Sequence, residues 1–353
     1  MMTLKGLTDR AGEWLRGAGP HSEIVISSRI RLARNLAGYP FVNRATTRVQ
    51  QEVLDRCMDV ITKSNLGDEV LWVDLRQCPE VDRQLLVERH LISRQHAMGE
   101  KVVRGVAIGA QETFSIMVNE EDQLRIQVLR SGMQLGSAFE QIMHIDDQLE
   151  SKLDFAYSQQ LGYQTACPTN VGTGIRVSVM MHLPALQLTG EIEKVRRAAR
   201  DMHLAVRGLF GEGSEAMGDL FQVSNQTTLG KSEEEVLADF ERTIVPQIIA
   251  YEQQARQALI RHRTEQLDDK IWRAWGLLTH ARMISTEEVL SLLSHLRLGV
   301  NLGRIDTVDI RTINELFLLT QPAHLFKLTG VESDQSARRQ ARATLIRQRL
   351  GGR

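Results

Sequence analysis

The sequence predicts an α+β domain built around a largely antiparallel sheet flanked by helices, followed by an all-helical C-terminal domain. Two observations support this fold class. Short β-type runs and amphipathic helical stretches alternate over the first 230 residues, and helical periodicity takes over almost completely after that point. A chain of 353 residues is also long enough for about two domains with buried cores.

Seven short runs of β-type residues are the predicted strands. They span residues 24–27, 70–75, 102–108, 114–118, 124–129, 176–181 and 220–223. The runs between residues 102 and 129 leave no room for crossover helices, so these strands should be antiparallel neighbours. Amphipathic periodicity predicts helices over residues 81–92, 136–161 and 191–202.

The helical C-terminal region begins with a recognisable start signal. Ser232 and Glu235 have the spacing of a capping box, and Pro246 is expected to kink the helix that follows. Ser285 and Glu288 repeat the capping spacing, and helical periodicity continues to residue 350. A domain boundary is therefore expected between residues 230 and 265.

The overall composition is that of an ordinary globular protein. The net charge is −1, so no overall field points to nucleic acid or to an anionic membrane. Only eight of the 43 basic residues are Lys, and 35 are Arg. The planar guanidinium fork matches phosphate oxygens, so this excess suits a protein that handles phosphates, although genomic base composition explains it equally well.

Cysteine usage favours a cytoplasmic protein. Cys57, Cys78 and Cys167 are irregularly spaced and include no CxxC pair, which fits neither a disulfide framework nor a zinc site. The N-terminus lacks a secretory signal pattern, and no apolar run approaches the roughly 18 residues that a transmembrane helix needs. We therefore expect a cytoplasmic protein that does not span a membrane.

Two phosphate-binding motifs are present only in incomplete form. Residues 225–232 resemble a Walker A loop but begin with Asn225 where that loop needs Gly, so a capped helix start is the favoured interpretation. Gly211, Gly213 and Ala216 match a loose dinucleotide fingerprint without the parallel βαβ context. The motif set of Ser/Thr/Tyr kinases does not occur in the sequence.

Four segments carry the residue types that phosphate and guanidinium chemistry requires. They span residues 27–34, 119–122, 167–176 and 207–215. In the first, an extended backbone would place Arg29 and Arg31 side by side on one face. The second puts three carboxylates in a turn, which by composition alone is more often merely solvated. The third joins Cys167 to a Pro turn and a Gly-rich loop, and the fourth carries Glu212 among three glycines.

Together these segments resemble the phosphagen kinase family of arginine and creatine kinases, and within it the bacterial branch of protein-arginine kinases, the McsB type. The resemblance covers residues 21–250 and, more loosely, the helical tail. The bacterial branch is favoured because the Arg segment begins at residue 27, without the helical N-terminal domain of the small-molecule enzymes. One departure is Gln123, which stands where the family usually has His.

This resemblance divides the chain into an N-terminal extension (residues 1–20), a phosphagen-kinase-like catalytic domain (21–250) and a regulatory helical domain (251–353). It implies ATP-dependent phosphorylation of arginine side chains in proteins, with ATP and Mg²⁺ as cofactors and no metal ligand from the chain. Glu121 and Glu212 would hold the acceptor guanidinium, with Cys167 nearby. A guanidinium has a pKa above about 12 and is a poor nucleophile, so the carboxylates would orient it and one would take its proton.

The resemblance also assigns the nucleotide site, in which five arginines form a cage around the phosphates and a histidine lies beside the nucleotide. The implied ATP-binding residues are Ser27, Ser28, Arg29, Ile30, Arg31, His90, Arg125, Arg176, Val177, Ser178, Val179, Met180, Arg207, Gly208, Leu209, Phe210 and Gly211.

The partners implied by the resemblance are protein substrates with exposed arginines, a zinc-binding activator protein, a heat-shock repressor and a Clp ATPase-protease that degrades the marked proteins. A homodimer is the family expectation. Two alternatives remain open. One is a kinase of free arginine or another small guanidino compound, and the other is a non-catalytic adaptor that binds phosphoarginine.

A second, allosteric site is implied in the C-terminal domain. The family carries an Arg-Asp-x-x-Arg-Ala segment there that binds phosphoarginine, and residues 338–343 match it with Arg338 and Arg342 but with Arg339 in place of Asp. Arg339 would repel the guanidinium part of the ligand, so we expect phosphate-bearing ligands to bind with little preference for phosphoarginine. A solvated helix face is the alternative interpretation.

Overall fold

The computed structural model describes residues 6, 11–99, 102–209, 217–331 and 334–352. Within these residues eight strands form one sheet in the order β2-β3-β4-β5-β1-β8-β10-β9, and each neighbouring pair is antiparallel. A separate small hairpin consists of β6 and β7. The strands are β1 Val25–Arg34, β2 Val70–Asp74, β3 Gly105–Gly109, β4 Phe114–Val118, β5 Leu124–Ser131, β6 Tyr157–Ser158, β7 Gly162–Tyr163, β8 Ile175–His182, β9 Leu204–Arg207 and β10 Leu220–Asn225.

Helices flank the sheet and make up the C-terminal region. They are α1 Thr47–Lys63, α2 Glu80–Glu88, α3 Arg94–Ala97, α4 Leu135–Glu150, α5 Pro184–Thr189, α6 Ile192–Asp201, α7 Glu233–Asp239, α8 Val245–His262, α9 Thr264–His280, α10 Thr286–Asn301, α11 Ile310–Leu319, α12 Pro322–Thr329 and α13 Gln335–Leu350. The predicted fold class is therefore confirmed. In the described part of the chain, none of these helices is long and apolar enough to cross a membrane.

The two faces of the sheet differ in chemistry because side chains alternate along each strand. On one face Ile30 of β1 and Val177 of β8 are completely buried. Helix α4 packs across β1 and β5. This face supplies the apolar core. Most alternate residues of the same strands are polar or charged, and they point to the opposite side of the sheet.

The predicted helix over residues 136–161 is wrong in its second half. Helix α4 ends at Glu150, and the chain then runs beside the segment that follows β1. The Ala156 amide donates to the Asn35 carbonyl (2.7 Å), and the Ala37 amide donates to the Asp154 carbonyl (2.8 Å). The backbone after α4 therefore pairs with a distant segment instead of continuing the helix. Tertiary hydrogen bonds thus override a local helical pattern.

The helix starts in the C-terminal region follow the predicted caps. The Ser232 hydroxyl accepts from the Glu235 amide (3.2 Å) and the Glu235 carboxylate accepts from the Ser232 amide (2.7 Å), which completes the capping box. The disturbance expected at Pro246 takes the form of a π-helical turn, Phe240–Ile244, between α7 and α8. This wider turn accommodates a residue that has no amide hydrogen to donate.

Candidate active site

The polar face of the sheet gathers arginines from four strands. Five arginines of the described chain share it: Arg29 and Arg31 on β1, Arg125 on β5, Arg176 on β8 and Arg207 on β9. Arg31 is directly opposite Arg176 in the β1–β8 pair, and Arg125 is opposite Ala33 in the β1–β5 pair. Because residues at i and i+2 of a strand share a face, Arg29 and Arg31 lie on the same side as predicted. All five arginines line one cleft of ≈ 640 Å³.

The arginines repel one another and are partly withdrawn from water. Burial, with the charges of Arg125, Arg176 and Arg207, lowers the pKa of Arg29 from its usual value to about 9. Burial and the same kind of repulsion lower the pKa of Arg31 well below its usual value. Among the described residues, the buried Nε of Arg31 has no hydrogen-bond partner. A polyphosphate brings negative charge and acceptor oxygens to guanidinium groups that repel one another, so ATP fits the arginine face.

A narrow recess continues from the arginine cleft and is formed in part by His90. This residue has a left-handed backbone (φ 58°), and its carbonyl accepts a hydrogen bond from Gln127 Nε2 at 2.7 Å. Its ring packs edge-on against Trp14, with 4.3 Å between the centroids. Burial, with Arg29 and Arg94 nearby, lowers the pKa of His90 to about 3 and keeps the imidazole neutral. Trp14 lies in the segment assigned to the N-terminal extension, where no motif predicts this contact.

The remaining residues assigned to ATP fall into three groups. The side chains of Ser27, Ser178 and Met180 line the recess, and Arg29 Nε lies 3.4 Å from the Ser178 hydroxyl. Four others are buried on the core side of the sheet, so their side chains do not reach the cleft. These are Ser28, Ile30, Val177 and Val179.

The third group follows β9. Leu209 lines the cleft, and Gly208 precedes it as a buried residue. Phe210 and Gly211 lie outside the described residues, and so does Glu212, the second carboxylate assigned to the acceptor. Glu121 is thus the assigned carboxylate for which the structure gives a position.

The carboxylate turn between β4 and β5 contains two glutamates with different surroundings. Glu120 is buried, and its Oε1 accepts from Arg125 Nη1 (2.8 Å) and from the Ser93 hydroxyl (2.5 Å). Burial opposes ionisation of Glu120, but Arg125, Ser93 and the Glu121 amide together hold its pKa at about 2. Glu121 is exposed and lines the same cleft as the arginines. Glu120 therefore fixes the turn, and the exposed Glu121 faces the cleft.

Asp122 connects the carboxylate turn to the turn that carries Cys167. Its buried carboxylate accepts from Asn35 Nδ2 and from the Ala166 amide, both at 2.7 Å. The Cys167 side chain, which is partly exposed, lines the cleft with its Sγ 3.1 Å from the Thr169 hydroxyl. Asp122 thus connects the turn that carries Glu121 to the turn that carries Cys167.

Gln123, which departs from the family pattern, uses its side chain to hold neighbouring backbone in place. Its Oε1 accepts from the Leu36 amide (2.6 Å) and its Nε2 donates to the Pro40 carbonyl (3.0 Å). One acceptor and one donor are also what a neutral imidazole offers, so the amide makes two contacts of the kind that His could make.

The cleft also has donors suited to Mg²⁺. In kinases this ion is usually held by one or two carboxylates together with substrate phosphates and water. Glu120 and Glu121 line the cleft beside Arg125 and Arg31, but both Glu120 oxygens already accept hydrogen bonds. Glu121 is the exposed carboxylate of this turn, so it fits a contact to the water shell of a phosphate-bound Mg²⁺.

The arginines assigned to the allosteric site lie on α13. Arg342 is buried, with its Nε donating to the Thr320 carbonyl (2.9 Å) and its Nη1 to the Ile284 carbonyl (3.1 Å). Burial lowers its pKa. Arg338 and Arg339 are half-buried one turn earlier. Arg342 thus joins three segments of the helical region, and phosphoarginine binding at this site stays a prediction.

Comparison with known proteins identifies the family. The ATP:guanido phosphotransferase C-terminal catalytic domain matches residues 52–255, and the protein-arginine kinase McsB C-terminal domain matches residues 264–352. The chain is 47% identical over 350 residues to a protein-arginine kinase of Halothermothrix orenii, covering 99% of each sequence. It is 49% identical over 348 residues to a protein-arginine kinase of Symbiobacterium thermophilum, covering 98% of each.

A solved structure supports the fold alone. The duplicated taurocyamine kinase of Schistosoma mansoni superposes with a TM-score of 0.62 at 24% identity, over 72% of this chain and 36% of that chain. The sheet with its arginine face defines a guanidino phosphotransferase fold. The chain belongs to the ATP:guanido phosphotransferase family, and within it to the protein-arginine kinases.

Proposed function

We propose that this protein transfers the γ-phosphoryl group of ATP to arginine side chains of other proteins. The observation that carries the proposal is the placement of five arginines on one sheet face in the same cleft as Glu121 and Cys167. A site for a polyanion thus adjoins a site for a cation. In-line phosphoryl transfer depends mainly on positioning and on charge neutralisation, and this arrangement supplies both.

Each group has a defined task in the proposed reaction. The arginine face binds the phosphates and neutralises the charge that develops on them, and Mg²⁺ adds to this neutralisation when it is bound. Glu121, with Glu212 as its proposed partner, orients the acceptor guanidinium and takes a proton as the N–P bond forms and the bond to ADP breaks. Cys167 helps to position the cation, and neutral His90 lies beside the nucleotide.

The nature of the acceptor is tested by supplying ATP, Mg²⁺ and either free arginine or an Arg-rich protein. Acid-labile label on the protein alone supports the proposal. Label on free arginine supports the small-guanidine alternative, and no label with either acceptor supports the adaptor alternative. Glu121→Gln is the control for transfer that depends on the site.

The proposed setting follows from similarity to protein-arginine kinases. The enzyme acts in the cytoplasm as a homodimer, and its phosphoarginine product marks proteins for a Clp-type protease and regulates a heat-shock repressor, with a zinc-binding activator protein. Light scattering of the purified chain tests the dimer. At α13, phosphoarginine is expected to stimulate only weakly, and calorimetry with Arg339→Asp tests whether the acidic residue strengthens binding.

A further inference from the structure

A buried cluster of charged and polar side chains joins the helical C-terminal region to the residues beside the proposed nucleotide site. Its members are Glu88 and Arg89 at the end of α2, Glu112 in the turn between β3 and β4, and His324 in α12. Each is at most 2% exposed. Charged groups at this depth must be paired to be tolerated.

Glu88 holds the first turn of α12. Its carboxylate accepts from the backbone amides of Ala323 (2.8 Å) and His324 (3.1 Å). These amides belong to the first turn of α12, where the helix leaves its donors unsatisfied. The same carboxylate accepts from Nδ1 of the His324 ring at 2.7 Å. A side chain of α2 therefore caps α12 from outside the helix.

The protonation of the His324 ring follows from its neighbours. Arg89 Nη1 lies 3.2 Å from His324 Nε2. A guanidinium only donates hydrogen bonds, so Nε2 must accept and the proton must be on Nδ1, which donates to Glu88. Arg89 also donates to both oxygens of Glu112, at 2.8 and 2.7 Å. His324 is thus a neutral bridge between Glu88 and Arg89.

Arg89 is followed directly by His90, whose left-handed backbone is uncommon for a residue with a side chain. Such a conformation costs free energy and persists where surrounding contacts determine it. The contacts of Arg89 with Glu112 and His324 hold the chain on one side of His90, and the Gln127 side chain holds its carbonyl on the other. The ring then meets Trp14 in the recess.

We propose that His324 is a positioning residue for the nucleotide, acting through Arg89 to hold His90 and Trp14 in the recess. The inference rests on the proposed function of the arginine cleft. It makes the helical region a contributor to nucleotide affinity, because His324 lies in the segment that matches the C-terminal domain while Arg89 and His90 lie in the segment that matches the catalytic domain.

Two substitutions at His324 separate its two contacts. The amide of His324→Gln reaches the position of Nε2 and can still accept from Arg89. The amide of His324→Asn reaches the position of Nδ1 and keeps only the contact with Glu88. We expect His324→Asn to raise the KM for ATP and the Kd for ADP roughly tenfold, the scale of one hydrogen bond to a charged group, with kcat little changed. His324→Gln should remain near the wild type.

The matched control is Lys327→Ala, because Lys327 Nζ pairs with Asp82 at 2.5 Å and so also joins α12 to α2, but at a different residue of α2. It should leave the KM for ATP unchanged. Glu112→Gln weakens the hold on Arg89 from the other side and should also raise the KM, so the test does not depend on one variant folding. Circular dichroism checks the fold of each protein.

The inference is overturned if folded His324→Asn, or folded Glu112→Gln, binds ADP like the wild type in calorimetry. It is also overturned if Lys327→Ala raises the KM as much as His324→Asn, because general loosening of the two helices would then explain the effect. A wild-type protein that binds no nucleotide would instead refute the proposed function, which keeps the two failures distinct.

Discussion

The neighbouring carboxylates Glu120 and Glu121 should respond in opposite ways to the same isosteric substitution. Both Glu120 oxygens accept hydrogen bonds, Oε1 from Arg125 and Ser93 and Oε2 from the Glu121 amide at 2.7 Å. An amide offers one acceptor oxygen and one NH₂ group. Glu120→Gln therefore removes the charge that pairs with Arg125. The new NH₂ group also faces at least one of the groups that donate to the carboxylate, so two donors meet without an acceptor.

The magnitude follows from the pKa of the carboxyl. The Glu120 pKa lies at about 2 instead of 4.5. At about 1.4 kcal/mol for each tenfold change in the ionisation constant, the folded state favours the ionised form by about 3 kcal/mol. Glu120→Gln should lower the free energy of unfolding by about that amount at pH 7. Glu121 is exposed, so Glu121→Gln should change it by less than about 0.5 kcal/mol.

The dependence on pH has a definite sign. A carboxyl with a lowered pKa stabilises the folded state above its ordinary pKa and loses this contribution as the pH falls through the folded value. The difference between the wild type and Glu120→Gln should therefore narrow as the pH falls from about 5 towards 2. Glu121→Gln should instead keep its stability and lose turnover by roughly 10²-fold, with ATP binding intact.

Urea denaturation at pH 7 and at pH 3, beside a label-transfer assay, measures both effects. If Glu120→Gln is as stable as the wild type at pH 7, the structural role given to that carboxylate is refuted. Normal transfer by Glu121→Gln would refute the assignment of the acceptor site. Equal losses of turnover in the two variants, with equal stability, would show that the turn acts as a single unit.

Three further predictions follow from the site and the core. Arg125→Lys and Arg207→Lys should raise the KM for ATP because Lys lacks the planar fork, and full activity of both at limiting ATP would exclude the proposed cage. Cys167→Ser should keep reduced activity, and substrate should protect the wild-type thiol from alkylation; an acid-stable phosphocysteine trapped in turnover would contradict this. Burial, with Arg297 and Arg256, holds the pKa of His182 well below 6.5, so stability should fall as the pH drops below about 6.5. His182→Gln should flatten that decline between pH 7 and 5 in denaturation measurements, and an unchanged slope would count against it.

Much of the sheet could be predicted because its signals are local. The shared face of Arg29 and Arg31 needs only an extended backbone over residues 27–34, and the short connection between β4 and β5 requires antiparallel pairing. The position of β1 between β5 and β8 has no such local signal, since its partners lie far away in the sequence. The end of α4 was predicted too late in the chain because residues 154–156 form hydrogen bonds with the distant segment 35–37.

The site shows the same division between local and distant information. Glu120 and Glu121 are adjacent residues of the same type, so the sequence does not distinguish them. Their burial does, because the buried Glu120 fixes the turn and the exposed Glu121 faces the cleft. Trp14 and Ser93 carry no motif, because their contacts with His90 and Glu120 are made between segments that are distant in the chain. The sequence motifs thus predict the arginines and carboxylates of the cleft, but not the residues that hold them in place.

The mutual repulsion of Arg29 and Arg31 has a consequence for the lifetime of the protein. A polyanion bound in the cleft offsets this repulsion, so a bound nucleotide contributes to the free energy of folding. A ligand at a hundred times its Kd adds about 2.7 kcal/mol to the stability of the state that binds it. When the nucleotide supply falls, the unfolded fraction rises and with it exposure to proteases, so the abundance of the enzyme would follow the energy state of its surroundings. Phosphate, sulfate or pyrophosphate in a storage buffer would protect the isolated protein by the same means.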